Sequence, residues 1–256
     1  MESPRPYILA ETNWKTVKEQ HYNVAILPWG ATEAHNYHLP YATDVMQCDY
    51  VAEESARKTW ENDAKVIVLP TVPFGVNTGQ LDVKLCLNMN PATQLAVLND
   101  IADVLNRQGI SKLVILNGHG GNHFKQMLRT LNVDYPKVFS CALNWYQAAD
   151  AESFFDEPGD HAGELETSAM MHIAPELVLP LEEAGSGAAK KFKVQALNEA
   201  WTDAQRRWTK VTDDTGVGNP AASTPEKGAA FLEAVTDNIT NFLIDLSNTD
   251  NEDLYE

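Results

Sequence analysis

The 256-residue sequence has few cysteines, few basic side chains and no long apolar run. Cys48, Cys86 and Cys141 are single and widely spaced, which fits neither a disulfide framework nor a Cys-x-x-Cys metal site. No apolar stretch approaches the roughly 20 residues that span a bilayer, and residues 7–10 are too short for the core of a signal peptide. We therefore expect a protein of the reducing cytoplasm.

Basic side chains are scarce relative to acidic ones. The chain has 19 lysines and arginines against 36 aspartates and glutamates, which gives a net charge of -17 at pH 7. Such a charge repels phosphate backbones and anionic lipid surfaces. The composition therefore predicts neither a nucleic-acid nor a membrane partner. With 44% hydrophobic residues, the chain can bury the core of one large domain or two small ones at most.

Four short runs rich in valine, isoleucine and leucine predict buried parallel strands, at residues 24–27, 66–69, 113–116 and 138–143. Helical patterns occur at residues 44–60, 91–108, about 122–133, 164–174 and 225–246. Strands that alternate with helices predict an α/β fold with a mainly parallel sheet flanked by helices. Residues 185–220 lack such a pattern and could form a lid, an oligomer contact or an irregular excursion.

Polar side chains follow two of the predicted strands. Glu33 and His35 come after the first strand, Asp44 opens the next helix, and His119 comes after the third strand. Ligands of open α/β sheets bind where the carboxyl ends of the strands converge, so we expect these side chains to lie close together. Imidazole nitrogens and carboxylate oxygens bind zinc, manganese and iron, and a carboxylate can bridge two ions. Two histidines with three carboxylates suit a pair of ions, which predicts hydrolysis.

Each of these residues also has a simpler structural explanation. A histidine after a strand can serve as a loop hydrogen-bonding group, Asp44 and Asn122 can be helix N-caps, and residues 118–121 can form a tight turn. Their joint placement at strand ends favours the metal site. A dinucleotide loop is a weaker interpretation, because the position of its third glycine is occupied by His123.

Three sequence blocks resemble the creatininase (creatinine amidohydrolase) family. They are Leu27-Pro28-x-Gly30-Ala31-Thr32-Glu33-x-His35-x-x-His38-Leu39-Pro40-x-x-Thr43-Asp44, Asn117-Gly118-His119-Gly120-Gly121-Asn122 and His161-Ala162-Gly163-Glu164-x-Glu166-Thr167-Ser168. The resemblance implies a single creatininase-like metallohydrolase domain over residues 1–256, with an irregular excursion at about 185–220. It also implies two divalent metal ions, zinc or else manganese or iron, and a homo-oligomer, which in this family is a hexamer.

The resemblance also implies roles for individual residues. By motif position the metal ligands would be Glu33 and His119 for one ion, His35 for the other, and Asp44 for both. In creatinine-hydrolysing members a glutamate of the strand-three loop completes the second ion's ligands, where this chain has Gly121. We hypothesise that Glu164 supplies the missing oxygen. The alternative is that Glu164 is an acid stabilised by the dipole at a helix N-terminus.

The catalytic residue implied by the resemblance is His161, a proton shuttle that donates to the leaving nitrogen, or otherwise a hydrogen-bonding residue beside the site. A hydroxide held between the metals would attack a carbonyl, and the amides of Gly120 or Gly121 could hold the oxyanion. Gly120 stands where creatinine-hydrolysing members carry an aromatic residue, so creatinine itself is a doubtful substrate. Trp145, after the fourth strand, could cover a flat ring.

The sequence therefore predicts a metal-dependent amidohydrolase of the creatininase type. Its substrate would be a small polar metabolite with a cyclic amide or formamide C–N bond, other than a peptide bond. The alternatives are a hydrolase of a cyclic ketone in inositol catabolism and a catalytically silent relative whose metals serve binding or assembly. The presence of His161 together with the ligand set favours an enzyme.

Overall fold

The computed structural model describes residues 4–199 and 201–255. The strands are β1 (Val24–Trp29), β2 (Val66–Val68), β3 (Lys112–Asn117) and β4 (Phe139–Asn144). The α-helices are α1 (Trp14–Val17), α2 (Thr43–Glu61), α3 (Pro91–Gln108), α4 (Lys125–Asp134), α5 (Glu164–Ile173), α6 (Trp208–Val211) and α7 (Pro225–Asn248). Within this part of the chain, no helix combines the length and apolarity required to cross a membrane.

The four strands form one parallel sheet in the order β2-β1-β3-β4. In the register, Val24 of β1 lies opposite Val66 of β2 and Lys112 of β3. Every residue of β1 and β3 is buried, as expected for strands covered on both faces. The α/β prediction is confirmed. β4 differs from the expected fully buried strand, since it lies at the sheet edge and most of its residues are only partly buried.

Successive side chains of a strand point to opposite faces of the sheet, and β1 divides its apolar residues accordingly. Val24 and Ile26 belong to a core cluster with apolar residues of α2 and α7. Ala25 and Leu27 belong to a second cluster with residues of α3 and α4. Because helices cover both faces, the place where polar side chains from several elements can meet is the edge formed by the strand ends.

Helix α7 supports α5 through a glycine contact. Gly228 of α7 is buried against the backbone of Ser168 in α5, and a Cβ atom at position 228 would lie 2.0 Å from the Ser168 carbonyl oxygen. Only glycine permits this approach of the two helices. The rotation and depth of α5 are therefore set by its contact with α7.

We expect the substitution Gly228→Ala to destabilise the protein, although alanine is the better helix former by about 1 kcal/mol. The added methyl group collides with backbone atoms, and such overpacking costs about 1–3 kcal/mol of the free energy of unfolding. Urea unfolding measures the effect. The control is Ala230→Gly at an exposed position of the same helix, where we expect a loss of about 1 kcal/mol from helix propensity alone. A Gly228→Ala protein as stable as the wild type would contradict the close packing.

The segment without a periodic pattern forms an ordered excursion that is anchored beside the strand ends. The Asn36 side chain accepts a hydrogen bond from the Gly185 amide at 2.8 Å and donates to the Gly185 carbonyl at 3.0 Å. At the other end, the Val217 amide donates to the His161 carbonyl at 2.8 Å, and the His161 amide donates back at 2.9 Å. The excursion therefore packs directly against the loops that carry Glu33 and His161.

Candidate metal centre

Six ionisable side chains meet at the carboxyl edge of the sheet, each contributed by a segment that follows a strand or begins a helix. They are Glu33 and His35 in the β1–α2 loop, Asp44 in the first turn of α2, His119 after β3, His161 before α5 and Glu166 in the first turn of α5. The side chains of Glu33, His35 and Asp44 are at most 2% exposed. Four of the five predicted ligands therefore come together, and Glu166 joins them.

One group of potential ligands consists of Glu33, Asp44 and His119. The Nδ1 atom of His119 lies 2.9 Å from Oε1 of Glu33 and 3.1 Å from Oδ2 of Asp44. One ligand atom from each residue lies within 4.8 Å of the others. This spacing allows all three residues to bind a single cation.

A second group consists of His35, Asp44 and Glu166. The Nε2 atom of His35 lies 2.9 Å from Oδ1 of Asp44 and 3.9 Å from Oε2 of Glu166. Asp44 thus offers one oxygen to each group, which is the arrangement required of a bridging carboxylate. His161 adjoins both groups, since its Nδ1 lies 3.7 Å from Oε1 of Glu33.

Backbone carbonyls fix the orientation of all three imidazole rings. A carbonyl oxygen can only accept a hydrogen bond, so the ring nitrogen that faces it carries the proton. Nδ1 of His35 donates to the Glu33 carbonyl at 3.2 Å, Nε2 of His119 to that of Val76 at 3.1 Å, and Nε2 of His161 to that of Ala34 at 2.8 Å. The other nitrogen of each ring is left facing the carboxylates, as is usual for metal-binding histidines.

The neighbouring carboxylates raise the pKa of two of these rings. Burial alone would lower the pKa of His35, but Asp44, Glu166 and Glu33 raise it to about 10. Opposing burial in the same way, Glu33 and Asp44 raise the pKa of His119 well above its usual value. The pKa of Glu166 is raised, chiefly by burial. The carboxylates therefore stabilise a positive charge beside the inward-facing ring nitrogens, and a bound divalent cation would provide that charge.

Two buried atoms in the cluster support this interpretation. Nε2 of His35 and Oδ2 of Asp44 are both shielded from solvent, and with the ring protons on the sides that face the backbone carbonyls neither atom makes a hydrogen bond among the described residues. Buried polar atoms of this kind are costly unless something binds them. Carboxylate oxygen with imidazole nitrogen is a donor set that suits zinc, manganese or iron. The residues present therefore fit a metal centre.

The structure places Glu164 elsewhere, contrary to our expectation. Although Glu164 is fully buried, its carboxylate accepts hydrogen bonds from the Lys227 ammonium group and, at 2.8 Å, from the Glu157 amide. It lies in none of the groups that could hold a metal among the described residues. Glu166, two residues later, occupies the position that the sequence analysis gave to Glu164. The carboxylate of α5 that joins the cluster is therefore that of Glu166, two residues after the predicted Glu164.

The glycines after β3 shape the site in two ways. A Cβ atom at Gly121 would lie 2.3 Å from the Val76 carbonyl oxygen and 2.5 Å from Nε2 of His119, so a side-chain ligand at this position would require the loop to move. A Cβ atom at Gly120 would meet nothing within 4 Å. The loop therefore has no room for a glutamate side chain at Gly121. At Gly120, where an open pocket was expected, there is free space.

A cleft of about 160 Å³ leads to the metal-binding groups. Its lining includes Gly120, Gly121, Tyr146 and Trp208. Burial, above all, raises the pKa of the Tyr146 hydroxyl to about 12, so the group stays protonated and can donate a hydrogen bond. A larger cavity of about 980 Å³ lies between the N-terminal segment and α3, but it is mostly apolar and contains none of the converging side chains. Size alone therefore does not identify the site.

Trp145 does not line this cleft, which corrects the prediction that it covers a substrate ring. Its side chain is fully buried in the core, where its ring lies 6.2 Å from that of Phe231 and 6.0 Å from that of Tyr146. The chain turns at the end of β4, so that Trp145 faces the core and its neighbour Tyr146 faces the cleft. The aromatic residue of this segment that lines the cleft is Tyr146.

The sequence analysis also missed Trp208 and Arg206. The Trp208 ring lies 4.8 Å from that of His161, edge to face, and the Arg206 guanidinium lies 5.0 Å from the Trp208 ring. Both residues belong to the excursion, where no periodicity or motif distinguishes them. The tryptophan content of this segment was the only available signal.

Two of the simpler explanations can be set aside. Helix α2 has no side-chain cap hydrogen bond, and Asp44 turns into the cluster instead. Helix α4 begins at Lys125, after the expected start at Asn122. The Asn122 side chain instead accepts from the Val76 amide at 3.0 Å and donates to Oδ1 of Asn117 at 3.0 Å, which holds the His119 loop in place.

Two curated relatives match part of the chain. The mycofactocin precursor peptide peptidase of Mycolicibacterium smegmatis is 28% identical over 160 residues, which cover 61% of this chain and 60% of that protein. The creatinine amidohydrolase of Pseudomonas putida is 26% identical over 176 residues, covering 60% of this chain and 66% of that protein. In both cases the match spans less than two thirds of the relative's length.

Solved structures match over a longer stretch. A provisional creatinine amidohydrolase from Bacteroides fragilis NCTC 9343 has a TM-score of 0.91 and 42% identity, covering 98% of this chain and 99% of that one. A manganese creatininase has a TM-score of 0.79 at 20% identity, covering 95% and 99% of the two chains. A creatininase variant of the Zn-Zn type has a TM-score of 0.78 at 21% identity, with the same coverage. At this identity the last two show the fold alone.

The sequence profile of the Creatininase family, described as creatinine amidohydrolase, matches residues 10–243. This span includes all four strands of the sheet and every residue of the candidate metal centre. The chain therefore belongs to the creatininase family.

Proposed function

We propose that this protein is a metal-dependent amidohydrolase that cleaves a C–N bond in a small polar metabolite carrying a cyclic amide or formamide. The observation that supports it most is the convergence of two ligand groups on one shared carboxylate, Asp44. Two divalent ions, zinc or manganese by analogy with the related creatininase structures, would be held here. One would bind Glu33, Asp44 and His119, and the other His35, Asp44 and Glu166.

Bound divalent ions polarise a carbonyl and lower the pKa of water toward neutrality, which supplies the nucleophile for hydrolysis. The chain itself supplies orientation and proton transfer. His161 is held by its hydrogen bond to the Ala34 carbonyl, and its free Nδ1 faces the cluster, so it could take up a proton released by the attacking water and pass that proton to the leaving nitrogen. The Tyr146 hydroxyl and the backbone amides of Gly120 and Gly121 line the same cleft and can hold the developing oxyanion.

Hydrolysis of a peptide bond is a second candidate, and it is favoured by the similarity to mycofactocin precursor peptide peptidases. We give precedence to small amides because the cleft beside the metal-binding groups has a volume of only about 160 Å³. Most drug-sized ligands occupy pockets of about 300–1,000 Å³. The reacting part of the substrate is therefore small.

We also propose that the chain forms one domain and assembles as a homo-oligomer in the cytoplasm. Leu81 and Leu85 are each 69% exposed, as expected of residues that become covered by another subunit. The three cysteines are free, which is consistent with a reducing compartment.

The test combines metal analysis with a substrate panel. Protein purified without chelator should contain about two divalent ions per chain, and it should hydrolyse at least one member of a panel of cyclic amides, formamides and short peptides. Removing the ions by dialysis against a chelator should abolish turnover, and adding back zinc or manganese should restore it. Ion binding without turnover of any panel member would instead identify a silent relative.

The ligand assignment is tested with His119→Gln, and its matched control is His172→Gln. His172 lies away from the cluster, where its Nε2 is 3.1 Å from the Tyr50 hydroxyl. We expect this variant to keep its metal content and activity. Equal losses in His172→Gln and in His119→Gln would show that any histidine substitution disturbs the protein, and the ligand assignment would then fail.

A further inference from the structure

A groove of about 620 Å³ lies on the excursion, and six of its thirteen lining residues are basic. The basic residues of this groove, which we call the basic groove, are Lys190, Lys191, Lys193, Arg206, Arg207 and Lys210. No aspartate or glutamate is among its lining residues in the described part of the chain. This is unexpected in a protein with 36 acidic and 19 basic side chains. Nearly a third of all its lysines and arginines line this one groove.

The basic groove adjoins the metal centre. Arg206 lines both the groove and the cleft that leads to the metal-binding groups. Val217 lines the groove too, and its backbone pairs with that of His161. A ligand extending from the cleft past Arg206 would therefore come next to the groove.

The charges in the groove are largely uncompensated. Only Arg206 forms an ion pair within the described residues, with Asp160 at 2.5 Å, and that partner is itself mostly exposed. Asp82 is a second nearby acid, and its pKa is lowered by a hydrogen bond from Thr209 and, to a smaller extent, by the charges of Arg207 and Lys210. Like charges placed together repel each other unless an anion binds among them. Guanidinium and ammonium groups preferentially bind carboxylate and phosphate.

We propose, building on the function proposed above, that the substrate is an anionic amide whose carboxylate or phosphate group binds in the basic groove. The small cleft takes the amide, Arg206 at the junction binds the near side of the anionic group, and the lysines bind its far side. The basic groove also offsets the repulsion that the protein's net charge of -17 exerts on such a substrate.

Kinetics with paired substrates test this proposal. The probes are N-formylglutamate against N-formylglutamine amide, and N-formyl-O-phosphoserine amide against N-formylserine amide. We expect kcat/KM to be at least about tenfold higher for the charged member of one pair, and that pair distinguishes a carboxylate from a phosphate. The preference should shrink as NaCl rises to about 0.5 M, because salt screens exposed charges. Equal kcat/KM within both pairs would overturn the proposal.

A charge-matched pair of double variants locates the effect. Lys190→Gln/Lys193→Gln removes two charges from the groove, whereas Lys15→Gln/Lys18→Gln removes two from a distant surface. For the charged substrate we expect the first variant to raise KM about tenfold with kcat unchanged, and the second to change it less than twofold. Arg206→Lys should retain more of the preference than Arg206→Gln. If the two double variants had equal effects, the groove would act only through the protein's net charge. That result would contradict specific binding in the groove.

A binding measurement decides the question even if no panel member is hydrolysed. Titration calorimetry of the metal-loaded protein with tricarballylate and with inorganic phosphate should give saturable binding that Lys190→Gln/Lys193→Gln weakens about tenfold. Binding that persists while no amide is hydrolysed would count against the proposed hydrolysis and not against the groove. If the anion were held only at the metals, it would bind both double variants equally. If the protein bound RNA but neither small anion, the groove would instead serve a macromolecular partner. Either result would overturn the proposal.

Discussion

The variant Glu166→Gln should contain only one metal ion per chain and lose at least about 100-fold in kcat/KM. The second group has two carboxylates, and Asp44 is shared with the first group whereas Glu166 is not. The Oε2 atom of Glu166 lies 3.9 Å from Nε2 of His35. An amide at this position keeps the size of the side chain but binds a divalent cation far more weakly than a carboxylate. Elemental analysis and steady-state kinetics measure the two effects.

Glu164→Gln is the matched control, because it makes the same chemical change two residues earlier on the same helix. We expect it to retain both ions and most of its activity. Its cost should appear as a lower melting temperature, since the buried Glu164 carboxylate pairs with Lys227. If Glu164→Gln lost an ion while Glu166→Gln kept both, the assignment from the structure would be reversed and the one from the sequence restored.

The second large effect is expected for His161→Asn. Loss of a general acid lowers kcat by about 10²- to 10⁴-fold, while the ligands that hold the ions stay in place. We therefore expect unchanged metal content, with most of the loss in kcat.

Metal analysis of His161→Asn distinguishes two roles for this residue. Nδ1 of His161 lies close enough to Glu33 and His35 for all three to bind one ion. If the variant loses an ion, His161 is a ligand and the proton must come from another group. If it keeps both ions and its full activity, the proton-transfer role is refuted.

Much of the metal centre could be predicted from sequence because its ligands follow directly from strand ends. In a parallel sheet, residues that follow β1 and β3 must emerge side by side, so Glu33, His35 and His119 are brought together by topology alone. Asp44 is similar, since the helix after β1 must begin near the same edge. These placements need no knowledge of side-chain packing.

The choice between Glu164 and Glu166 does require such knowledge. Residues two apart on an α-helix point about 200° away from each other, so only one of the two carboxylates can face the cluster. Which one does so depends on the rotation of α5 about its axis. That rotation is set by the contact of Ser168 with Gly228, more than 50 residues further along the chain. No local pattern contains this information.

The aromatic residues of the cleft were beyond sequence reasoning for a different reason. Trp145 and Tyr146 lie where β4 gives way to a short helical turn, and there the alternation of a strand no longer predicts which side chain faces inward. Trp208 is in a segment with neither helical nor strand periodicity. Its ring lies beside that of His161, a residue 47 positions earlier in the chain, which no local pattern reveals.

The excursion is fastened at its two ends, by Asn36 near residue 185 and by His161 near residue 217, whereas the groove residues lie between these points. Side chains in the middle can therefore be exchanged without moving the backbone that holds His161 and the loop of Glu33. In a molecule built this way, substrate choice and bond cleavage can evolve separately. Exchanging groove residues between relatives, with Arg206 and Trp208 retained beside the cleft, is then a rational route to altered specificity.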